Sequence, residues 1–299
     1  MINALTIDVE DYYMVSAFAD VVKFSEWHSY ESRVEKNTHR ILNLLDMHNA
    51  KGTFFVLGWV AERHPALIRE IQARGHEVAS HGYNHRLVFD LTPKEFRADT
   101  SLSKKILEDI TGQLVMGYRA TSYSIVNRSL WALDILIEED FQYDSSIFPI
   151  RHDRYGMPHA ERFPHVIRRS SGEIIEFPPS TYRLMGHNIP IAGGGYLRMY
   201  PLGITKNAIR RMNNHEQQSA IIYFHPWEID PLQPQLSGKL LSRFRHYVNL
   251  SSTFAKLHDL LSSFRFSPLR NLMPVDYSCT EGCLESEGDS AAAFKTIIL

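Results

Sequence analysis

Five short stretches of the chain place residues that can do chemistry directly after apolar, strand-like runs. They are residues 8–11 (DVED), the pair His81 and His85, Arg119, Asp144 and His225. A carboxylate together with two imidazoles is the ligand set of a catalytic divalent metal, which keeps open positions for water and substrate. A histidine at a strand end can act as a general acid or base, and an arginine can orient a carboxylate and keep it ionised. Each signal alone could be a turn, a helix cap or a surface side chain, but their coincidence predicts one catalytic rim.

Such a rim requires a scaffold of parallel strands, and apolar runs alternate with helical patterns along the chain. The predicted strands are residues 3–9, 53–57, 76–80, 115–118, 173–177 and 220–224, with a further extended piece from Phe141. The predicted helices are residues 35–47, 61–74, 92–111, 129–139 and 250–264, and Thr92 and Glu95 form a capping box at the start of the third. Residues 150–172 and 182–200 are rich in loop formers. The sequence therefore predicts an α/β fold with a mainly parallel sheet, whose strand ends gather the chemistry.

Composition narrows the class of protein. The 299 residues are 44% hydrophobic and 22% charged, with a net charge of -2, so no basic footprint for nucleic acid is present. No signal peptide is recognisable, and no apolar run approaches the ~18 residues that span a bilayer. These features predict a cytoplasmic protein. Cys279 and Cys283 lie in a C-terminal tail, where they cannot form a disulfide framework across the fold.

The motifs and their order resemble the NodB-type polysaccharide deacetylases, carbohydrate esterase family 4, over about residues 1–265. TIDVED is similar to the first family motif, SHGYNH to the second, GYRATSY to the third and HPWEID to the His-bearing last motif. The chain further resembles the subgroup found in exopolysaccharide loci, whose members carry a C-terminal extension. The stretches that carry this resemblance are DVED, YDSSIFP, EFPPST and HPWEID.

This resemblance implies a distorted (β/α) barrel with fewer than eight complete units. It implies a catalytic domain over residues 1–270, extension included. The polar and Ala-rich composition of residues 271–299 predicts a disordered tail. The implied protein is a hydrolase that binds one divalent metal, typically zinc. It would remove N-acetyl groups from an amino-sugar polysaccharide or its precursor during exopolysaccharide biosynthesis.

The resemblance also assigns roles to individual residues. It makes Asp8 the general base, His81 and His85 metal ligands, Arg119 the residue that orients Asp8, and His225 the general acid. Contacts to substrate are expected from Tyr123, Trp227 and Asp144, and Trp27 and Tyr196 are further aromatic side chains that could stack on sugar rings.

The chain departs from the family pattern at three positions. The third metal ligand is either Glu10 or Asp11. Glu10 shares the face of Asp8 on a continuing strand, whereas a turn after Val9 favours Asp11, which is preferred because its carboxylate then stands off from Asp8. Thr121 replaces a proline, which predicts a looser turn. Gly82 replaces a hydroxyl residue, which predicts a missing hydrogen bond behind the metal ligands.

Two other functions compete with glycan deacetylation. One is hydrolysis of a small amide on the same fold, as in allantoinase-like relatives, which would favour a closed pocket over an open groove. The other is a non-catalytic carbohydrate-binding homologue, against which the intact His81, His85 and His225 argue. The sequence predicts neither the oligomeric state nor the identity of the sugar.

Overall fold

The computed structural model describes residues 1–274 and 294–299. Its strands are β1 Ile2–Val9, β2 Thr53–Val56, β3 Glu77–Ser80, β4 Gly117–Tyr118, β5 Tyr143–Asp144, β6 His165–Arg169, β7 Gly172–Glu176, β8 Thr181–Leu184, β9 His187–Pro190, β10 Ile221–Phe224, β11 Arg265–Ser267 and β12 Lys295–Ile298. Its α-helices are α1 Val34–Met47, α2 Gly58–Arg63, α3 Pro65–Ala73, α4 Pro93–Thr111, α5 Trp131–Glu138, α6 Gly195–Met199, α7 Leu202–Asn214, α8 Leu240–Tyr247 and α9 Leu250–Ser263.

One sheet carries the fold, with strand order β10-β1-β2-β3-β4-β5-β7-β6-β12 and β11 paired to the start of β1. Its pairings are parallel except that of β6 with β7, which form a hairpin. Helices connect successive parallel strands, as βαβ units require. The predicted α/β class with a mainly parallel sheet is therefore confirmed.

The sheet curls into a barrel around a small apolar interior. Six strands each contribute a side chain to one buried cluster: Ala4, Phe55, Ala79, Tyr143, Ile175 and Ile221. β4 contributes only backbone here, because a Cβ on Gly117 would lie 2.0 Å from the Tyr143 ring. After β7, the Ser180 N–H donates to the Ile221 carbonyl on β10 at 3.2 Å, so the two sides of the curled sheet meet. The larger apolar core lies between the outer face of this barrel and the helices.

Local signals in the sequence explain several helix boundaries. Thr92 accepts from the Glu95 N–H and the Glu95 side chain accepts from Thr92, which is the predicted capping box of α4. Gly112 ends α4 in the left-handed conformation at φ 66°. The predicted helix over 61–74 is divided into α2 and α3 at His64, because the residue before a proline avoids the helical region.

The segments predicted to be loops contain regular structure that short, interrupted patterns did not reveal. β6, the hairpin of β8 and β9, and α6 all lie within them. The tail prediction is wrong at its end, where β12 pairs with β6 in parallel. Residues 275–293, with Cys279 and Cys283, lie outside the described residues. Across the described ranges, none of the helices combines the length and apolar content that crossing a bilayer requires.

Candidate active site

The carboxyl end of β1 delivers Asp8 to the top of the barrel. Ala4, Thr6 and Asp8 alternate with outward-facing residues, so all three side chains point inward. Arg119, directly after β4, donates from Nη1 to Asp8 Oδ1 at 2.7 Å and to Thr6 Oγ1 at 2.8 Å. Both partners of this ion pair are almost completely buried. The predicted contact between Arg119 and Asp8 is therefore present.

The guanidinium of Arg119 is fully buried, and each of its nitrogens donates a hydrogen bond. Its Nε and Nη2 donate to the carbonyl and the hydroxyl of Ser145 at 3.2 and 2.8 Å. Its guanidinium also lies 4.2 Å from the ring centroid of Phe55. A buried guanidinium that is held on every side can offer Asp8 one fixed direction of hydrogen bonding.

His81 and His85 lie on a loop after β3 rather than on a helical turn. Gly82 and His85 both adopt positive φ, 74° and 59°, and these reversals bring the two rings to a centroid distance of 5.6 Å. Nδ1 of His81 donates to the Arg119 carbonyl at 2.8 Å, which fixes the tautomer and leaves Nε2 as a free lone pair. Burial lowers the pKa of His81 to about 4, so this imidazole is neutral at physiological pH, as a metal ligand must be.

Glu10 completes a group of three with these histidines. One ligand atom each from Glu10, His81 and His85 lies within 4.8 Å of the others, and Glu10 Oε2 is 2.8 Å from His85 Nε2. Burial would raise the pKa of Glu10, but His85, His225 and His81 together lower it to about 2. Glu10 is therefore an ionised carboxylate that faces imidazole nitrogens.

The prediction that placed Asp11 with the imidazoles is wrong. The chain does turn after Val9, since the Glu10 N–H donates to the Asp8 carbonyl at 3.0 Å. Asp11, however, turns away and accepts from the hydroxyl of Ser32 and the backbone N–H groups of Arg33 and Val34 at 2.7–3.3 Å. Its carboxylate caps the N-terminus of α1, where the free N–H groups and the helix dipole favour an anion.

His225 follows β10 and reaches the same place from the other side. Its Nε2 lies 3.7 Å from Asp8 Oδ2 and 3.6 Å from Glu10 Oε1. Its Nδ1 is 2.7 Å from Oε1 of Glu228, whose Oε2 accepts from Arg198 Nε at 2.6 Å. Burial lowers the pKa of His225, but the hydrogen bond to Glu228 and the neighbouring carboxylates raise it to about 9. The group is therefore an imidazolium at neutral pH.

Glu228 and Arg198 are the functional residues that the sequence analysis missed. Glu228 stands three residues after His225 in the HPWE stretch, a spacing at which a side chain can reach back over one turn. Arg198 carried no comparable signal, because it comes from α6 inside a segment predicted to be loop. The two residues form a fully buried ion pair behind the imidazole.

A cavity of about 330 Å³ opens over the site. Asp8, Glu10, His81, His85 and His225 lie on its floor, and Tyr123, Tyr196 and Trp227 also line it. Trp227 supports the floor as well, since its indole N–H donates to Glu10 Oε1 at 3.1 Å.

Two predicted substrate contacts are elsewhere. Asp144 does not line the cavity and is fully buried, with Oδ1 accepting from the Ser146 hydroxyl at 2.5 Å. It is paired in register with Glu176 of β7. Trp27 packs in the core against Trp59, at a ring-centroid distance of 5.3 Å.

The structure also shows what surrounds Thr121 and Gly82, the two other departures from the family motifs. The hydroxyl of Thr121 donates to the Arg86 carbonyl at 2.7 Å, and this hydrogen bond fixes the turn against the loop that carries His85. Gly82 is demanded by its positive φ and by Asp99, whose Oδ2 would lie 2.8 Å from a Cβ at that position. Asp99 also accepts the Tyr83 N–H at 2.8 Å, so a carboxylate on α4 holds the loop in place.

Comparisons with known proteins match two consecutive parts of the chain. Residues 23–135 match the family described as polysaccharide deacetylase, and residues 145–274 match a family described as a domain of unknown function, DUF3473. His81, His85 and Arg119 fall in the first part, and His225 falls in the second. Asp8 and Glu10 precede both parts, so the site combines residues of the two matched parts with the end of β1.

The chain is similar to several curated deacetylases over part of their length. It is 32% identical over 98 residues to a peptidoglycan-N-acetylglucosamine deacetylase of Bacillus cereus, a match that covers 32% of this chain and 36% of that protein. It is 29% identical over 99 residues to a chitooligosaccharide deacetylase of Bradyrhizobium sp., covering 33% and 43%. These matches span about two fifths of the relatives or less.

Solved structures agree over most of the chain. A Mycobacterium smegmatis protein classed with the polysaccharide deacetylases superposes with a TM-score of 0.53 at 22% identity, covering 89% of this chain and 91% of that one. An allantoinase superposes with a TM-score of 0.57 at 16% identity, covering 92% and 88%. These likenesses establish the fold. Residues 23–135 are thus similar to the polysaccharide deacetylase family, and the solved structures show that the fold is shared.

Proposed function

We propose that this protein is a metal-dependent hydrolase that removes N-acetyl groups from an amino-sugar polysaccharide or its precursor, and that it serves exopolysaccharide biosynthesis. The observation that carries the proposal is the convergence of three functions on one cavity floor. An oriented carboxylate, Asp8, lies between a carboxylate–imidazole group and the imidazolium of His225. Amide hydrolysis needs these three things: a base for water, a means to polarise the carbonyl and an acid for the nitrogen.

The donor set fits a divalent cation. One carboxylate and two imidazoles are a common ligand set of catalytic zinc, and they also suit other first-row divalent ions. Glu10, His81 and His85 would hold the cation. Nδ1 of His85 is buried and, within the described residues, has no hydrogen-bond partner, so only packing and its ligand bond would orient this ring. When bound, the cation would polarise the acetyl carbonyl and lower the pKa of the attacking water.

Asp8 is placed to accept the proton of that water. Arg119 occupies Oδ1, which leaves Oδ2 facing His225 and the cavity. Because Arg119 fixes the orientation of the carboxylate, the free oxygen of Asp8 is directed at the position of the attacking water.

His225 is placed to protonate the leaving nitrogen. Glu228 holds Nδ1, so the proton on Nε2 points across the cavity floor towards Asp8 and Glu10. Transfer of that proton to the amide nitrogen lets the C–N bond break, which releases acetate and a free sugar amine. The Glu228–Arg198 pair keeps the charge on Glu228 and hence the orientation of the imidazole.

The test measures metal content and acetate release together. Purified protein is assayed on N-acetylglucosamine oligomers after loading with zinc, cobalt or manganese. We expect metal-dependent release of acetate. His81→Ala should lose both the metal and the activity, whereas Asp144→Asn, in a buried carboxyl outside the cavity, should keep the metal.

Failure of the proposal has a distinct signature. Protein that binds one equivalent of metal but releases no acetate from any acetylated glycan would contradict the substrate class. Turnover of a small cyclic or linear amide in the same assay would instead support the amidohydrolase alternative. Glycan binding without any turnover would support the non-catalytic alternative.

A further inference from the structure

Helix α8, Leu240–Tyr247, exposes apolar side chains and buries polar ones, which is the opposite of an ordinary surface helix. Its exposed residues are apolar: Leu240, Leu241 and Phe244 are 83%, 57% and 59% exposed. Its buried residues, Ser242 and His246, are polar and only 4% exposed each. Isolated exposed leucines are common on proteins, but large apolar side chains grouped on one exposed face usually mark a binding surface.

The spacing of the three apolar residues places them on a single face. Leu240 and Phe244 are four residues apart, and Leu241 and Phe244 are three apart, so they are neighbours on the helix surface. The inner side of α8 is fixed by polar contacts, since His246 Nε2 is 2.8 Å from Gln233 Oε1. Rotation of α8 to bury the apolar face would break this contact. The exposed apolar face is therefore a property of the folded protein.

A second segment with exposed apolar side chains adjoins the start of α8. Gly238 lies against the Phe18 ring, and Lys239 forms an ion pair with Asp20 at 2.9 Å, so the start of α8 adjoins residues 18–24. Val21 and Phe24 of that segment are also exposed, at 41% and 43%.

Basic side chains are close in sequence to these apolar residues. Lys23, Lys239, Arg243 and Arg245 lie on the same two segments. Two acids pair with some of this charge, Asp20 with Lys239 and Asp153 with Arg245. The whole chain has a net charge of -2, so a basic, apolar surface stands out against the rest of the protein. Leucine and phenylalanine beside lysine and arginine is the composition of helices that lie in the interface of an anionic membrane.

The surface borders the opening of the cavity. Ser242, Arg245 and His246 of α8 line the cavity from one side, and Ser16 and Ala17 line it beside residues 18–24. A bilayer that contacts the exposed face would therefore meet the protein next to the mouth of its active site.

We propose that the face formed by Leu240, Leu241 and Phe244, with Val21 and Phe24, docks on the surface of a membrane rich in anionic lipids. The apolar side chains enter the boundary between headgroups and acyl chains, and Lys23, Lys239 and Arg243 contact lipid phosphates. This inference does not depend on the proposed chemistry, because it concerns lipid binding alone.

The experiment is co-sedimentation of the full chain with vesicles of phosphatidylcholine containing phosphatidylglycerol, compared with phosphatidylcholine alone. We expect binding to the anionic vesicles that weakens as salt increases. The double variant Leu240→Ser/Phe244→Ser should bind at least about tenfold more weakly, because both changes remove apolar side chains that would leave water. Lys239→Glu should weaken binding to the anionic vesicles.

A matched control lies on the hairpin of β8 and β9, where Leu184 and Met185 are 50% and 92% exposed. The variant Leu184→Ser/Met185→Ser should bind vesicles like the unchanged protein. Absence of the unchanged protein from both vesicle pellets would overturn the proposal, as would equal binding by the α8 variant. A dimer in sedimentation that the α8 variant abolishes, without vesicle binding, would assign the face to a second copy and also overturn it.

Discussion

Two pairs of buried acids lie at the ends of parallel strands in this barrel, and the side chains that surround them are of opposite kinds. Asp8 and Glu10 end β1, and Asp144 and Glu176 end the neighbouring strands β5 and β7. All four are 0–2% exposed. In the first pair, Arg119 and three histidines face the carboxylates, and the pKa of Glu10 is lowered to about 2. In the second pair, burial raises the pKa of Asp144 to about 6, and burial with the charge of Asp144 raises that of Glu176 well above its ordinary value.

The difference shows that the partner, rather than the acid or its position in the fold, decides what a strand-end carboxyl does. Cations in contact keep a carboxylate ionised and ready to bind metal or accept a proton. Two carboxyls without a cation between them retain a proton and become part of the structure. Four substitutions test this contrast, from the largest expected effect to the smallest.

Glu10→Gln should abolish tight metal binding, because it removes the only carboxylate that lies with the imidazoles of His81 and His85 among the described residues. The isosteric change Glu176→Gln should leave the metal in place. Metal content after dialysis, measured by inductively coupled plasma mass spectrometry, separates the two. Equal metal in both variants would contradict the assignment of Glu10.

Asp8→Asn should keep the metal and lower the rate of acetate release by about 10²- to 10⁴-fold, the usual contribution of a general base. The amide keeps the shape of the side chain but cannot take a proton. The rate constant at saturating substrate and the metal content are measured on the same preparation. Loss of metal together with activity would instead make Asp8 a ligand.

Asp11→Ala tests the neighbour of Glu10 that the structure assigns to stability. Three donors at the start of α1 would lose their acceptor, which should lower the free energy of unfolding by about 1–2 kcal/mol. Metal content should not change. Urea unfolding measures the first quantity, and a variant that loses the metal would return the ligand role to Asp11.

Glu176→Gln should stabilise the protein at pH 8, by about 1 kcal/mol, and have less effect at pH 5. Folded Asp144 and Glu176 bind protons more tightly than the unfolded chain does. Their contribution to stability is therefore complete below about pH 4. The part due to Asp144 is lost as the pH rises through about 6, its folded pKa, and the part due to Glu176 is lost as the pH rises through the raised pKa of that group. A glutamine needs no proton to donate to Asp144, so the loss should shrink. If the free energies of unfolding of the two proteins differ by the same amount at every pH, the pair of acids holds no extra proton in the folded state.

Much of this site could be predicted from the sequence. The carboxyl ends of parallel strands converge on one edge, so Asp8, Arg119 and His225 were expected to meet, and they do. The capping box of α4 follows from local stereochemistry alone. Asp144 was misassigned because its partner Glu176 is 32 residues away, and no local pattern around Asp144 indicates that the two strands pair.

By itself, the sequence determined which residue types stand at which strand ends, because alternation and helix signals are local properties of the chain. Only the tertiary structure decided between Glu10 and Asp11. The two are adjacent, and the arrival of α1 beside one of them draws that carboxylate away from the imidazoles. The same holds for α8, whose periodicity is that of any amphipathic helix. Packing determined that its polar side is buried and its apolar side faces out.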